Sequence, residues 1–215
     1  MRSLTTIVLS VMVLLLLGLF AESAFSQVYV FGQASFATGA GPCAVISADL
    51  DNDGRLDIVT SNRDSNSITI LLGKPDGTFA IGVDYIVGSR PIAVASGDFN
   101  SDGILDLAIA NSGDNTIKIL TGNGNGTFRS VTTLTLSGTP TALAVGDFNH
   151  DGKLDLAVTI GPTPGAASIF LGNGDLTFQS PKDFTTGDSP VALGVNDFNK
   201  DGKLDLAIAN QTRWP

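Results

Sequence analysis

The chain has 215 residues, with 21 acidic and 12 basic side chains and a formal net charge of −9. An acidic balance argues against a nucleic-acid-binding surface, and the single cysteine, Cys43, rules out an intrachain disulfide framework. The chain also has one histidine, His150, and one glutamate, Glu22, so few side chains are available for acid–base catalysis.

The N-terminal segment, residues 1–26, has the pattern of a secretory signal peptide. Arg2 precedes an apolar run, and small residues follow the run. The run is about fifteen residues, shorter than the ~20 that span a bilayer as a helix, so cleavage before Gln27 is favoured over an uncleaved anchor. We expect no membrane span in the mature chain and a secreted, extracellular protein, with the cell surface and the periplasm as alternatives.

The remainder, residues 27–215, is organised as a repeat with a period of about 49 residues. Each period contains a proline and a small apolar strand, an acidic loop, two more apolar strands, a glycine-rich turn and a more polar strand. After an initial outer strand, the repeats are predicted at approximately 42–90, 91–139, 140–189 and 190–215. This pattern predicts an all-β fold, a β-propeller of four-stranded antiparallel blades that is incomplete, with three full blades and a partial fourth.

Cys43 lies in the first apolar strand of the first repeat. The aligned residues in the other repeats are Ile92, Thr141 and Val191. This alignment predicts a small buried strand residue and not a reactive thiol.

An acidic loop of nine residues joins the first two strands of every repeat. The copies read DLDNDGRLD, DFNSDGILD, DFNHDGKLD and DFNKDGKLD, beginning at Asp49, Asp98, Asp147 and Asp197. Carboxylates or amides stand at loop positions 1, 3, 5 and 9, and glycine stands at position 6. Thirteen of the 21 acidic residues lie in these loops, so the acidity of the chain is local. Because clustered carboxylates repel one another unless a cation neutralises them, the loops indicate oxygen cages for a hard cation.

Calcium is the expected cation, because it takes six to eight oxygen ligands, whereas magnesium keeps several waters and fewer carboxylates. The backbone carbonyl at position 7 is a candidate ligand beside the four side chains. The ligands predicted for up to four Ca²⁺ ions are Asp49, Asp51, Asp53, Arg55 and Asp57; Asp98, Asn100, Asp102, Ile104 and Asp106; Asp147, Asn149, Asp151, Lys153 and Asp155; and Asp197, Asn199, Asp201, Lys203 and Asp205. The alternative, that Asp, Asn and Gly merely form turns, is weakened by four copies in register.

The loops are not EF-hands, which need a glutamate at position 12. That position holds Thr60, Ile109, Val158 and Ile208. With the Gly-Thr-Phe turns at 77–79 and 126–128, the four D-x-[DN]-x-D-G-x-L-D loops resemble the FG-GAP/VCBS repeat family, which includes the integrin alpha-chain head and many secreted bacterial proteins. The resemblance covers nearly all of residues 28–210.

The resemblance implies a calcium-binding propeller, usually of seven blades in that family, whereas only four loops are present here. It implies the activity less strongly, because the family includes adhesion, lectin-like and enzyme-appended propellers. We expect a non-catalytic binding or adhesion module for an extracellular protein or glycan. A carbohydrate-binding propeller and the propeller portion of a larger secreted enzyme remain the alternatives. His150 stands at the variable fourth loop position, where an exposed side chain is expected.

Overall fold

A computed structural model describes residues 27–30 and 34–211 of the chain. The predicted signal peptide, residues 1–26, lies outside the described residues. Within them the secondary structure is entirely β, with sixteen strands. Helices long and apolar enough to cross a membrane are therefore absent from this part of the chain.

Three four-stranded antiparallel sheets follow one another along the chain, and each keeps its strands in sequence order from one edge to the other. The strands of the first sheet are β3 (Pro42–Ala48), β4 (Asp57–Asn62), β5 (Ser67–Leu71) and β6 (Val83–Ile86). Those of the second are β7 (Pro91–Gly97), β8 (Asp106–Asn111), β9 (Thr116–Gly122) and β10 (Phe128–Thr135). Those of the third are β11 (Thr139–Gly146), β12 (Asp155–Gly161), β13 (Ala166–Phe170) and β14 (Lys182–Thr185). We call these sheets blades 1 to 3.

Two further sheets have only two strands each. The first is a hairpin of β1 (Gln27–Val30) and β2 (Ala34–Ala37), and the other, which we call blade 4, consists of β15 (Pro190–Asn196) and β16 (Asp205–Asn210). The predicted all-β fold of three full blades and a partial fourth is therefore confirmed, and the ring is not closed. The single outer strand predicted before Pro42 is instead a pair of strands, because residues 27–30 fold back onto residues 34–37.

Consecutive blades pack face to face through their first two strands. One core cluster joins Leu50 and Val59 of blade 1 to Leu107 of blade 2, and the next joins Ala108 of blade 2 to Leu156 of blade 3. Neighbouring residues of β8 thus face opposite blades, as the alternation of side chains along a strand requires. Burial on both faces explains why the middle strands are largely apolar.

The first strand of each blade lies at the joint between blades and is only partly covered. Val45 in β3 is exposed, and so is Cys43. The expectation of a buried thiol is therefore wrong. The Cys43 sulfur lies 3.2 Å from the carbonyl oxygen of Pro91 in the next blade and 3.4 Å from the hydroxyl of Ser61. Position in the repeat thus predicted the strand but not the exposure of the side chain.

Candidate metal centre

The acidic loop between β3 and β4 brings three carboxylates together. The loop leaves β3 after Ala48 and reaches β4 at Asp57, and these two residues are opposite each other in the antiparallel ladder. Carboxylate oxygens of Asp49, Asp51 and Asp57 all lie within 4.8 Å of one another. The pairing of β3 with β4 holds the two ends of the loop one inter-strand distance apart, and this brings loop position 1 next to position 9.

Asp57 is the buried anchor of this cluster. Its side chain is fully buried, and its two oxygens accept the backbone N–H groups of Leu50 at 2.7 Å and Gly73 at 2.8 Å. Leu50 belongs to the loop and Gly73 follows β5, so one carboxylate ties the loop to the third strand of the blade. Each carboxylate oxygen has a second lone-pair direction, so these hydrogen bonds leave room for a cation.

Asp51 supplies the oxygen that lacks a partner. Its Oδ1 atom is buried and makes no hydrogen bond. Desolvation raises the pKa of Asp51, and the nearby charges of Asp57 and Asp49 raise it further. Buried polar oxygens are nearly always hydrogen-bonded, so an unpaired one beside two carboxylates is costly unless a cation is bound there. The donor set of the first loop therefore fits a hard cation.

Asp53, predicted as the ligand at position 5, is not part of the three-carboxylate cluster. Its Oδ1 accepts the N–H of Arg55 at 2.9 Å, and its Oδ2 forms an ion pair with the Arg55 guanidinium. Asp49 in turn accepts the N–H groups of Asp53 at 3.1 Å and Gly54 at 2.9 Å. The backbone and the side chain of Asp53 are thus held by contacts within the loop itself. The carbonyl of Arg55 remains a predicted ligand.

The other three loops repeat this hydrogen bonding. The position 1 carboxylates of Asp98, Asp147 and Asp197 accept the N–H groups of positions 5 and 6 at 2.8–3.1 Å. At position 9, Asp106 and Asp155 are fully buried, and each accepts the N–H of a loop residue and an N–H from the end of the third strand, from Gly122 at the last position of β9 or from Gly172 just after β13. Burial raises the pKa of both carboxyls, although these amides act in the opposite direction. The four loops are therefore copies of one local structure.

The three later loops differ from the first at position 3, where they have asparagine. The side-chain amides of Asn100, Asn149 and Asn199 donate to the position 5 carboxylates of Asp102, Asp151 and Asp201 at 2.8–3.2 Å. Among the described residues, a group of three close carboxylates occurs in the first loop alone. Positions 3 and 5 of the later loops are thus paired with each other, whereas Asp51 has no such partner.

At position 7, Ile104, Lys153 and Lys203 donate their backbone N–H groups to the position 5 carboxylates at 2.8–2.9 Å. These bonds close a tight turn around glycine 6. The position 7 carbonyls remain predicted ligands, as does the fourth-loop residue Asp205, whose Oδ2 accepts the N–H of Phe198 at 3.1 Å.

Position 4 has a backbone feature that the sequence pattern did not reveal. Asn52, Ser101, His150 and Lys200 all have left-handed φ angles, of 58–63°. Asparagine favours this conformation, but serine, histidine and lysine give no such signal. The His150 side chain is exposed, as the sequence predicted. The loop fold therefore determines the backbone at position 4, and the side chain there is free to vary.

Comparison with known proteins gives a family and a fold. A sequence model described as an FG-GAP-like repeat matches residues 49–109, 98–158 and 158–208. A protein of unknown function from Desulfotomaculum acetoxidans DSM 771 has a similar structure, with 21% identity, a TM-score of 0.56 and coverage of 75% of this chain and 49% of its own. The structure of BBS1N in complex with ARL6DN is similar at 19% identity and a TM-score of 0.59, covering 86% of this chain and 55% of its own.

These two likenesses establish the fold alone. The chain spans about half the length of the solved structures that it matches. No curated protein matches the sequence.

Proposed function

The chain belongs to the family of FG-GAP-like repeat proteins, and from that premise we propose that it is an exported, calcium-stabilised β-propeller module that binds an extracellular protein. The observation that carries the proposal is the first acidic loop. Asp49, Asp51 and Asp57 converge there, and one buried oxygen of Asp51 has no hydrogen-bond partner.

Calcium suits this loop better than magnesium does. The side-chain oxygens come from a single irregular loop, and two of the three carboxylates, Asp49 and Asp57, each already accept two backbone amides. Calcium accepts such irregular, oxygen-rich surroundings, whereas magnesium requires near-octahedral geometry with several waters retained. Bound calcium neutralises the repulsion within each loop and thereby clamps the first two strands of each blade, which compensates for the lack of disulfides.

A protein partner is favoured over a glycan because six of the aromatic side chains are paired with one another in packing contacts. Phe36 with Phe79, Tyr85 with Phe128, and Phe99 with Phe178 form edge-to-face pairs with ring centroids 5.4–6.1 Å apart. Rings engaged in this way, of which Phe99 and Phe128 are buried, are less available for stacking on a sugar. The similar fold of BBS1N is one that binds a partner protein, ARL6DN.

The proposed function also includes export from the cell and a binding role without catalysis by this chain. The signal-peptide pattern of residues 1–26 supports export. Most acidic side chains lie in the four loops, where they have a structural use, and the single histidine is exposed at a variable loop position. These features support a binding role for this chain.

Thermal unfolding of the purified full chain tests the calcium part directly. We expect the melting temperature to rise with millimolar calcium over EGTA, and to rise much less with magnesium at the same concentration, because a ligand that binds only the folded state stabilises it. A chain that melts identically in EGTA and in calcium would refute the calcium clamp. A glycan array in calcium buffer tests the partner class, and specific binding to one sugar would replace the protein partner with a carbohydrate ligand.

A further inference from the structure

The second residue of each acidic loop is an apolar side chain between two predicted metal ligands. In the first loop this residue is Leu50, with Asp49 and Asp51 on either side of it in the chain. Of the nine loop residues, Leu50 and Asp57 are buried, and the other seven are half-buried or exposed. Leu50, which is 1% exposed, is therefore the apolar anchor of this loop. The equivalent residues in the other loops are Phe99, Phe148 and Phe198.

The main chain of Leu50 is tied to the third carboxylate of the cluster. Its N–H donates to Oδ2 of Asp57 at 2.7 Å. In the other three loops, the N–H at position 2 makes the same bond to the position 9 carboxylate at 2.9–3.1 Å. A shift of Leu50 would move Asp49 and Asp51, which adjoin it in the chain, and would remove a hydrogen bond from Asp57. Its position therefore affects all three carboxylates.

The side chain of Leu50 lies in the joint between blades 1 and 2. It belongs to the core cluster that contains Leu107 and Phe128 of blade 2. Phe128 is itself held against blade 1, because its N–H donates to the hydroxyl of Tyr85 at 3.3 Å. The rings of Phe128 and Tyr85 also pack edge to face, with centroids 6.1 Å apart. Residues of both blades thus enclose Leu50.

The second loop has the same arrangement with blade 3. Phe99 is 2% exposed, and its ring centroid lies 5.8 Å from that of Phe178. Its carbonyl oxygen accepts the N–H of Leu176 at 3.4 Å, so blade 3 also holds the main chain between two predicted ligands of this loop. Both joints lie between complete four-stranded blades. Contact between loop position 2 and the next blade is therefore a repeated feature of the fold.

We propose that Leu50 is a positioning residue for the calcium ion and couples ion binding in the first loop to the packing of blade 2. This inference rests on the proposed calcium function. Packing of Leu50 holds Asp49 and Asp51 in place before the ion binds, so less conformational freedom is lost on binding. Coupling between two equilibria is reciprocal, so calcium in turn stabilises the joint. The ion thereby fastens blade 1 to blade 2, in addition to clamping β3 to β4.

A calcium titration followed by NMR tests this inference on the purified full chain, because the glycine at position 6 reports on each loop separately. The N–H of Gly54 donates to Asp49 Oδ2 at 2.9 Å, and that of Gly103 donates to Asp98 Oδ2 at 2.8 Å. Leu50→Ala should raise the calcium concentration for half-saturation at Gly54 by about tenfold to a hundredfold, the usual effect of losing a residue that orients a metal ligand. Half-saturation at Gly103 should change much less.

Conservative and remote variants separate positioning from a general loss of stability. Leu50→Met keeps a side chain of similar volume and should keep the half-saturation of the parent at Gly54. Leu50→Val, a smaller truncation than alanine, should raise it less than Leu50→Ala does. Ile68→Ala removes a fully buried side chain of the same core cluster, opposite Ser61 and near the other end of β4 from Asp57. It should lower the melting temperature but leave half-saturation at Gly54 unchanged.

Phe128→Ala tests the contribution of blade 2. Residue 128 lies outside the four loops, yet its loss should raise half-saturation at Gly54, because it removes part of the packing around Leu50. Hydrogen exchange measures the reverse direction. Calcium should slow exchange of the Phe128 amide in the parent chain and should slow it much less in Leu50→Ala. Exchange that calcium leaves unchanged in the parent would contradict the fastening of the joint.

The titration distinguishes failure of this inference from failure of the calcium function. Half-saturation at Gly54 that is unchanged in Leu50→Ala and Leu50→Val would overturn the positioning role and leave the proposed calcium function standing. An equal rise in Ile68→Ala would overturn it as well. If calcium at millimolar concentration shifts none of the four position 6 glycine resonances of the parent chain, the proposed calcium function fails, and this inference fails with it.

Discussion

Replacing Asp51 by asparagine should make the metal-free protein more stable and the calcium-bound protein less responsive to calcium. The change gives the first loop the same ligand types as the other three. It also removes the buried carboxylate oxygen that has no hydrogen-bond partner. The variant therefore separates two roles of one side chain, repulsion in the absence of metal and coordination in its presence.

The size of the effect follows from the geometry of the cluster. Two unit charges 4.8 Å apart repel by about 1 kcal/mol in the dielectric of water and about 3.5 kcal/mol at an effective dielectric near 20. Asp51 has two such neighbours, Asp49 and Asp57, and it is partly exposed, so we expect a gain of about 1–2 kcal/mol in EGTA. This corresponds to a melting temperature higher by about 2–8 °C. In saturating calcium, each tenfold loss of affinity for the ion lowers the stabilisation that calcium gives by about 1.4 kcal/mol.

Differential scanning calorimetry in EGTA and in calcium measures both quantities. Asn100→Asp is the reciprocal variant, because it gives the second loop the composition of the first, and it should lower stability in EGTA and increase the calcium-dependent gain. Asp188→Asn, at an exposed position outside the loops, controls for net charge. A variant at Asp51 that is less stable than the parent in EGTA, or that keeps the full calcium response, would refute this account of the cluster.

Three further predictions concern the anchor, pH and the packing of blades. Asp155→Ala leaves two backbone amides without their acceptor and should cost about 2–5 kcal/mol in urea unfolding, in EGTA as well as in calcium; a loss seen only with calcium would contradict an anchoring role. The raised pKa of Asp51 and Asp155 means that the folded metal-free protein binds protons more readily than the unfolded chain, so in EGTA the free energy of unfolding should increase as pH falls through the raised values towards 3.8. In saturating calcium the free energy of unfolding should decrease as pH falls, because protons compete with the ion for the carboxylates. The same pH dependence of stability in EGTA and in calcium would contradict this prediction. Gly146→Ala places a Cβ 2.7 Å from a methyl carbon of Leu204 and should cost about 1–3 kcal/mol, whereas Gly194→Ala, whose added Cβ meets only the backbone oxygen of Ala207 at 4.0 Å, should change stability little.

The fold could be predicted from the sequence because its signals are local and repeated. Each blade has a proline before the first strand, an acidic loop after it and a glycine-rich turn after the third strand. These signals recur at a constant spacing and identified three full blades and a partial fourth. The paired strands at residues 27–30 and 34–37 were predicted as one strand, because the sequence between them has none of the repeat's markers.

The candidate site was predicted less completely. Alternation of carboxylates identified positions 1, 3 and 9 of the first loop, which the structure brings together. It did not separate Asp53 from the others, because the ion pair with Arg55 depends on the side-chain conformation of one particular loop. Nor could it distinguish the exposure of β16 from that of β8, because two identical hexapeptides carry no information about their neighbours.

The most direct test of the central claim is X-ray diffraction from crystals of the full chain grown in calcium, with data collected at a long wavelength where calcium scatters anomalously. The calcium clamp predicts an anomalous peak enclosed by Asp49, Asp51 and Asp57, with equivalent peaks in the loops that begin at Asp98, Asp147 and Asp197. Well-ordered loops without an anomalous peak at any of the four positions would contradict it.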